Sequence, residues 1–113
     1  IDNLIKILNL DEFINSLDNK IHSNVGERGI KMSGGQMKRI SIARALYKKP
    51  SILILDETLS SLDTETETKI MSEIKSFDQN LTIIIVSHRP GTLDLCDVVY
   101  RINNGNLNFN TKQ

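Results

Sequence analysis

The stretch that decides the fold is residues 52–57, which read ILILDE. Its first four residues are apolar and are bounded by Pro50 and Asp56, so the run is too short for a core helix and predicts a buried strand. A second apolar run, residues 83–86, follows a helix expected over residues 64–77. This strand–helix–strand order with continuous apolar strands predicts a parallel sheet that is buried on both faces.

Two carboxylates follow the first strand, Asp56 and Glu57. Ligands bind at the carboxyl ends of the strands in an open parallel sheet. Asp56 is therefore a candidate for a Mg²⁺ shell, and Glu57 for orienting or deprotonating a water. A buried strand that runs into a solvated acidic loop accounts for the same pair, and the pattern alone leaves both interpretations open.

On the N-terminal side of this strand, residues 33–36 (SGGQ) stand directly before a helix expected over residues 37–47. Ser33 is a good N-cap, and Gly34 and Gly35 let a ligand approach the exposed N–H groups at the positive end of the helix. Such an end suits phosphate. An ordinary capped loop is the alternative interpretation.

On the C-terminal side, Ser87 and His88 follow the second strand at the equivalent end. A histidine there can hydrogen-bond a phosphate, and a structural histidine is the alternative. Cys96, the only cysteine, is interpreted as a packed thiol. It excludes an internal disulfide and fits a reducing compartment.

The remaining elements are predicted from periodicity and turn residues. Two short N-terminal helices are expected, the second capped by Asp11, and a capping box from Thr64 to Glu67 is expected to begin the helix over residues 64–77. Strands over residues 98–102 and 107–109 flank Asn104 and Gly105 and predict a hairpin, with a frayed tail over residues 110–113.

Composition limits the class of protein. The chain has 113 residues, with 14 Lys and Arg against 14 Asp and Glu, 39% hydrophobic residues and 25% charged residues. These values fit a globular domain, and the zero net charge argues against a general nucleic-acid binder. The longest apolar runs have four residues, so no segment of this sequence is expected to span a membrane.

Taken in order, the motifs resemble the second half of the nucleotide-binding domain of ATP-binding cassette (ABC) transporters. The similarity covers essentially the whole chain, and it rests on residues 32–36 (MSGGQ, signature), 42–46 (IARAL), 52–57 (ILILDE, Walker B), 61–63 (SLD, D-loop) and 87–89 (SHR, switch-histidine loop). Residues 25–29 (VGERG) resemble the loop that precedes the signature in exporters. The resemblance implies an α/β fold: part of a P-loop NTPase core with parallel strands, part of the helical subdomain, and a C-terminal β-hairpin. Residues 1–32 would belong to the helical subdomain and residues 33–113 to the ATPase core.

The same resemblance implies a role for each matching residue. Glu57 would polarise the attacking water and His88 would contact the γ-phosphate of ATP. Asp56 would hold Mg²⁺, and Asp63, together with Ser61, would lie at a dimer interface. The signature residues would contact ATP held by a second nucleotide-binding domain in a head-to-tail dimer; they are Ser33, Gly34, Gly35 and Gln36.

One expected motif is absent from these 113 residues, the phosphate loop Gly-x-x-x-x-Gly-Lys-Ser/Thr (Walker A). The expectation is therefore a C-terminal fragment that is inactive alone, although its parent would be an ATPase that uses ATP and Mg²⁺. The parent would pair with a transmembrane domain at the cytoplasmic face of a membrane, with no nucleic acid as partner. In the family the phosphate-loop strand lies beside the strand over residues 83–86, so an unpaired slot is expected there.

Two other functions remain open at this stage. One is a chromosome-maintenance ATPase of the SMC type, whose C-terminal lobe also pairs a signature with Walker B. The other is a non-catalytic interaction module that has lost ATP binding. The short upstream helices and the exporter-like residues 25–29 favour the transporter.

Overall fold

A computed structural model of the chain describes residues 1–26, 30–58 and 62–111. A short 3₁₀ turn, Lys20–His22, lies between the second and third helices. The helices and strands, in chain order, are α1 (Asp2–Ile7), α2 (Asp11–Asn15), α3 (Gly34–Tyr47), β1 (Ile52–Asp56), α4 (Thr64–Phe77), β2 (Thr82–Val86), α5 (Pro90–Asp94), β3 (Val98–Asn103) and β4 (Asn106–Thr111). This mixed α/β order confirms the predicted fold class.

The predicted parallel pair is present. β1 and β2 run parallel, with Ile52 opposite Thr82 and Asp56 opposite Val86. The two strands therefore end at the same edge, which places the residues that follow them side by side. Among the described residues, β2 pairs with β1 alone.

The prediction that both faces of this sheet are buried is wrong for the described chain. Burial alternates along β1, so that Leu53 and Leu55 are buried whereas Ile52 and Ile54 are exposed. The reason is that α3 and α4 supply apolar cover on one face only. The buried core on that face also includes residues of α1, and its members are Leu4, Ile7, Leu8, Leu10, Ile42, Leu46, Leu53, Leu55, Ile70, Met71 and Ile74.

Two of the predicted helix caps are wrong. Leu10, not Asp11, is the N-cap residue of α2, and no side chain caps that helix. At α4 the cap is Asp63, whose carboxylate accepts the N–H of Thr66, so the predicted capping box from Thr64 does not form. A carboxylate is an efficient cap because it can accept an orphan N–H of the first turn while it lies near the positive end of the helix.

Arg39 joins the N-terminal helices to α3. Its guanidinium donates to the carbonyl of Asn9 at 3.0 Å and to that of Leu8 at 3.5 Å. Its Nε donates to the carbonyl of Gly35 at 3.3 Å. These bonds satisfy carbonyls just beyond the C-terminal end of α1, where helices leave such groups without partners, and they hold α1 against the first turn of α3.

The C-terminal hairpin forms around the predicted turn. Asn104 and Gly105 both have positive φ, which is the geometry of a two-residue type I′ turn. Tyr100 and Phe109 face each other across β3 and β4, with ring centroids 5.2 Å apart. The strand β4 extends to Thr111, so the predicted frayed tail is wrong for residues 110 and 111, and residues 112–113 lie outside the described part.

None of the helices that the structure describes is long and apolar enough to cross a bilayer. Cys96 is half-buried, and its thiol donates to the carbonyl of Thr92 at 3.5 Å. The thiol is therefore packed against α5, as the sequence predicts.

Candidate functional site

The candidate site lies at the carboxyl edge of β1 and β2. The strand β1 ends at Asp56, and the next residue, Glu57, adopts a left-handed backbone conformation with φ of 47°. Its N–H donates to the carbonyl of Val86 at 3.0 Å, so the parallel pairing holds Glu57 in place after the strand itself has ended. A positive φ is uncommon for a residue other than glycine and costs conformational energy, and Glu57 shares it with Asn9, Lys20, Lys49 and Asn104 among the described residues.

Glu57 and His88 meet at this edge. Oε1 of Glu57 lies 3.5 Å from Nε2 of His88, and the two side chains are 57% and 89% exposed. Both are therefore open to a ligand. A carboxylate can orient a water, and an imidazole N–H beside it can donate a hydrogen bond to an anion within the same small volume.

Asp56 lies one residue before Glu57 and is exposed. Its carbonyl accepts a hydrogen bond from the hydroxyl of Thr58 at 3.3 Å. Within the described ranges no group of three or more His, Cys, Asp or Glu side chains could hold a metal ion. A single exposed carboxylate nevertheless fits Mg²⁺, which keeps several waters and takes few protein ligands when phosphate oxygens are also present.

The predicted signature segment forms the N-terminus of α3. Ser33 is the N-cap, its Oγ accepts the N–H of Gln36 at 3.1 Å, and Oε1 of Gln36 accepts the N–H of Ser33 at 2.9 Å. This reciprocal capping box fixes the first turn of the helix. It uses neither the N–H of Gly34 nor that of Gly35, so both remain available at the positive end of a 14-residue helix.

Lys38 connects this helix to the acidic edge. Its Nζ donates to the carbonyl of Glu57 at 3.3 Å. An open cleft of about 390 Å³ lies between the two segments and is lined by Met37, Lys38, Ser41, Asp56, Glu57 and Thr58. The sequence suggested only a basic helix face here, because the contact joins residues 19 positions apart.

Asp63 directly follows Leu62, a residue that lies near the signature segment. The side chain of Leu62 lies near Gly35, since a Cβ on this glycine would be in ordinary van der Waals contact, at 3.5 Å, with Cδ2 of the leucine. Hydrogen bonds from Thr66 hold the pKa of the Asp63 carboxyl below its ordinary value, since they stabilise the ionised form. The exposed carboxylate therefore keeps its charge at the N-terminus of α4.

Sequence reasoning missed a buried polar cluster behind the site. Glu67 on α4 is 2% exposed, and its carboxylate is bound by Arg89 and by Thr92. One signal could have found it, because Glu67 lies three residues before Ile70 and seven before Ile74, on the apolar stripe of α4. A glutamate on such a stripe needs a partner.

Two parts of the predicted site lie outside the described residues. Ser61, assigned with Asp63 to a dimer interface, is one of them. The other comprises residues 27–29 of the exporter-like loop. Val25, in the described part of that loop, forms an isolated parallel bridge with Ile30, the residue after the loop.

Comparison with known proteins gives consistent matches. A family model described as "ABC transporter" matches residues 4–60, which is half of the chain. A relative named as an export ATP-binding/permease protein, from Rickettsia typhi, is 42% identical over 107 residues, covering 95% of this chain and 19% of the relative. The ATP-dependent lipid A-core flippase of Vibrio vulnificus is 41% identical over 96 residues, covering 85% of this chain and 16% of the flippase.

A solved structure gives the same answer for the fold. The structure of a bacterial Atm1-family ABC exporter with ATP bound matches with a TM-score of 0.81 and 38% sequence identity, over 92% of this chain and 18% of that chain. This chain therefore spans about a fifth of the length of the proteins that it matches.

Proposed function

Because the chain belongs to the ABC transporter family, we propose that it is the C-terminal part of the ATP-hydrolysing domain of an exporter. The observation that carries the proposal is the 3.5 Å approach of Glu57 to His88 at the carboxyl edge of two parallel strands. The relatives support the direction of transport, since those from Rickettsia typhi and Vibrio vulnificus are named as an export protein and a flippase.

In this proposal Glu57 and His88 act on the terminal phosphate of ATP. Phosphoryl transfer requires positioning and charge stabilisation more than covalent chemistry. The carboxylate of Glu57 orients the attacking water, and the imidazole of His88 donates a hydrogen bond to the γ-phosphate. Their exposure leaves room for both the water and the nucleotide.

Asp56 completes the acidic edge. Its carboxylate is proposed to hold Mg²⁺ through water, which matches a single exposed ligand at the end of a strand. When bound, the ion neutralises charge on the phosphate oxygens.

The N-terminus of α3 is proposed to serve a second copy of the domain. The residues Ser33, Gly34, Gly35 and Gln36 contact the phosphates of ATP held by that copy in a head-to-tail dimer, through N–H groups that the capping box leaves available. Asp63, with Ser61, lies at the same interface in this proposal. It caps α4 while its charge stays exposed.

The other proposed partner is a transmembrane domain, which places the chain at the cytoplasmic face of a membrane. The support comes from the relatives, of which one is named a permease as well as an ATP-binding protein. A nucleic-acid partner is not proposed, because the chain carries 14 basic and 14 acidic residues.

The test is ATP hydrolysis by a complete transporter polypeptide that contains this segment. The variant Glu57→Gln should bind ATP like the wild type and lose about 10²- to 10⁴-fold in turnover, which is the usual contribution of a general base. Glu73→Gln, an exposed glutamate on α4, is the matched control and should retain full turnover. A wild-type polypeptide that binds ATP without hydrolysing it would instead support the non-catalytic interaction module.

The 113-residue chain by itself is proposed to bind MgATP weakly and not to hydrolyse it. The phosphate loop that cradles the β- and γ-phosphates in P-loop enzymes does not occur in its sequence. Titration calorimetry of the chain with MgATP is the measurement. Micromolar binding would contradict this part of the proposal.

A further inference from the structure

The buried cluster behind the site has Arg89 at its centre, directly after His88. Nη1 of Arg89 lies 2.9 Å from Oε2 of Glu67 and donates to the carbonyl of Leu62 at 2.9 Å. Nη2 donates to the hydroxyl of Thr64 at 3.3 Å. One guanidinium therefore binds three groups, at the entry to α4 and within its first turns.

The carboxylate of Glu67 is satisfied on both oxygens. Oε2 binds Arg89, and Oε1 accepts a hydrogen bond from the hydroxyl of Thr92 on α5. The side chain of Glu67 is only 3% exposed and that of Arg89 is 34% exposed. A buried carboxylate is tolerated only when it is paired, so this pair holds α4, α5 and the residue after His88 in one arrangement.

The cluster connects two segments that belong to the proposed site. On one side, Arg89 follows His88 in the chain and its N–H donates to Oγ of Ser87 at 3.1 Å. On the other side, Arg89 binds the carbonyl of Leu62. The side chain of Leu62 lies next to Gly35, and the residue after Leu62 is Asp63. A continuous set of contacts thus runs from the His88 segment to the N-terminus of α3.

We infer that the cluster of Arg89, Glu67 and Thr92 fixes the position of His88 relative to Asp63 and the signature glycines. The cluster would thereby set the rate of ATP hydrolysis without contacting ATP. These three are positioning residues, because the contacts described for their side chains are made to each other, to the carbonyl of Leu62 and to the hydroxyl of Thr64. The inference rests on the proposed function, since it concerns the reaction at that site. It predicts an effect on turnover at saturating ATP and little effect on KM.

The experiment is steady-state ATP hydrolysis by a complete transporter polypeptide that contains the segment, measured well below the unfolding midpoint of each variant. Arg89→Gln and Glu67→Gln should each lower kcat about 10- to 100-fold, since a displacement of 1 Å at a reacting group can cost about 10²-fold. KM for ATP should change less than about twofold, because binding to the ground state is unaffected. The matched controls are Arg101→Gln and Glu65→Gln, at exposed positions.

A purely structural role would give a different result. The variants would then have lower unfolding midpoints but a wild-type kcat per folded molecule, and that outcome would overturn the inference. If either Gln variant does not fold, substitutions of Thr92 test the inference instead. Thr92→Ser keeps the hydroxyl and should restore the wild-type kcat, whereas Thr92→Val should lower it; equal kcat values for the two would overturn the inference.

The result also separates this inference from the proposed function. If the wild type hydrolyses ATP and Glu57→Gln abolishes turnover while Arg89→Gln and Glu67→Gln do not change it, the positioning role is wrong and the proposed function stands. A wild-type polypeptide without ATPase activity would overturn both.

Discussion

The carboxylate of Glu57 and the imidazole of His88 lie 3.5 Å apart, although 30 residues separate them in the chain. The parallel pairing of β1 and β2 produces this contact, because Asp56 and Val86 are opposite each other at the ends of the strands. The pairing continues for one more hydrogen bond, from the N–H of Glu57 to Val86. The contact is therefore a consequence of strand register.

This contact predicts that Glu57 and His88 act as a unit. In a complete transporter polypeptide, His88→Ala and Glu57→Gln should each lower turnover by at least about 10²-fold, and the double variant should be little worse than the more damaging single variant. A double-mutant cycle on kcat measures the coupling. Multiplicative effects of the two substitutions would show that the residues act independently.

The second prediction concerns Gly34 at the start of α3. A Cβ at this position would have nothing within 4 Å, so Gly34→Asp should leave the fold intact. The new carboxylate would lie beside the proposed phosphate site of the partner domain, where like charges repel, and should weaken the ATP site of the partner. Mixed dimers with one mutant domain measure this, and Gly34→Ala is the control.

A different result with the mixed dimers would contradict this prediction. If the Gly34→Asp domain in a mixed dimer impaired only the ATP bound to itself, the assignment of the α3 N-terminus to the partner's nucleotide would be wrong. Equal impairment by Gly34→Ala would point to backbone effects, not charge.

The third prediction uses two neighbours on β1 that face opposite sides. Leu53 is 3% exposed and Ile54 is 64% exposed in the chain. Leu53→Ala should lower the free energy of unfolding by about 2–5 kcal/mol, whereas Ile54→Ala should cost less than about 1 kcal/mol. Urea unfolding of the 113-residue chain measures both. Similar losses would show that the exposed face is covered in solution.

The fourth prediction is a pH dependence of stability from Asp63. Hydrogen bonds from Thr66 lower the pKa of Asp63 in the folded state below its ordinary value of 3.8. A depressed folded pKa stabilises the fold above the unfolded pKa, and this contribution is lost as the pH falls from 3.8 through the folded value. Asp63→Asn keeps an acceptor for the cap but removes the titration.

The measurement is the unfolding free energy of the wild type and of Asp63→Asn as the pH falls through that window. The advantage of the wild type over Asp63→Asn should shrink toward low pH. Asp18→Asn, at an exposed carboxylate outside any helix, is the matched control. Identical pH profiles for Asp63→Asn and the wild type would contradict the prediction.

Much of the fold could be predicted from local patterns. Two four-residue apolar runs located β1 and β2, and Ser33 before a periodic segment located the start of α3. Asn104 and Gly105 located the hairpin, because few residues adopt positive φ easily. The family, too, was recognisable from the order and spacing of short motifs.

One error arose where two local solutions compete. Both Asp63 and Thr64 are good cap residues at adjacent positions, and it is Asp63 whose side chain caps α4. Glu67, which the predicted capping box would have used, lies in the core instead, where Arg89 pairs with its carboxylate. The capping-box pattern in the sequence is the same whether Asp63 or Thr64 caps the helix.

The sequence by itself determined which residues form strands and helices, which family the chain belongs to, and which carboxylates follow a strand. Only the tertiary structure decided that Leu53 is buried while Ile54 is exposed, and that Arg89 binds both Glu67 and the carbonyl of Leu62. The physical reason is the separation along the chain of the residues that interact. Secondary structure and caps depend on neighbours within a few positions, whereas burial and ion pairing depend on which distant segments come into contact. The register of β1 and β2 and the packing of α3 and α4 determine those contacts.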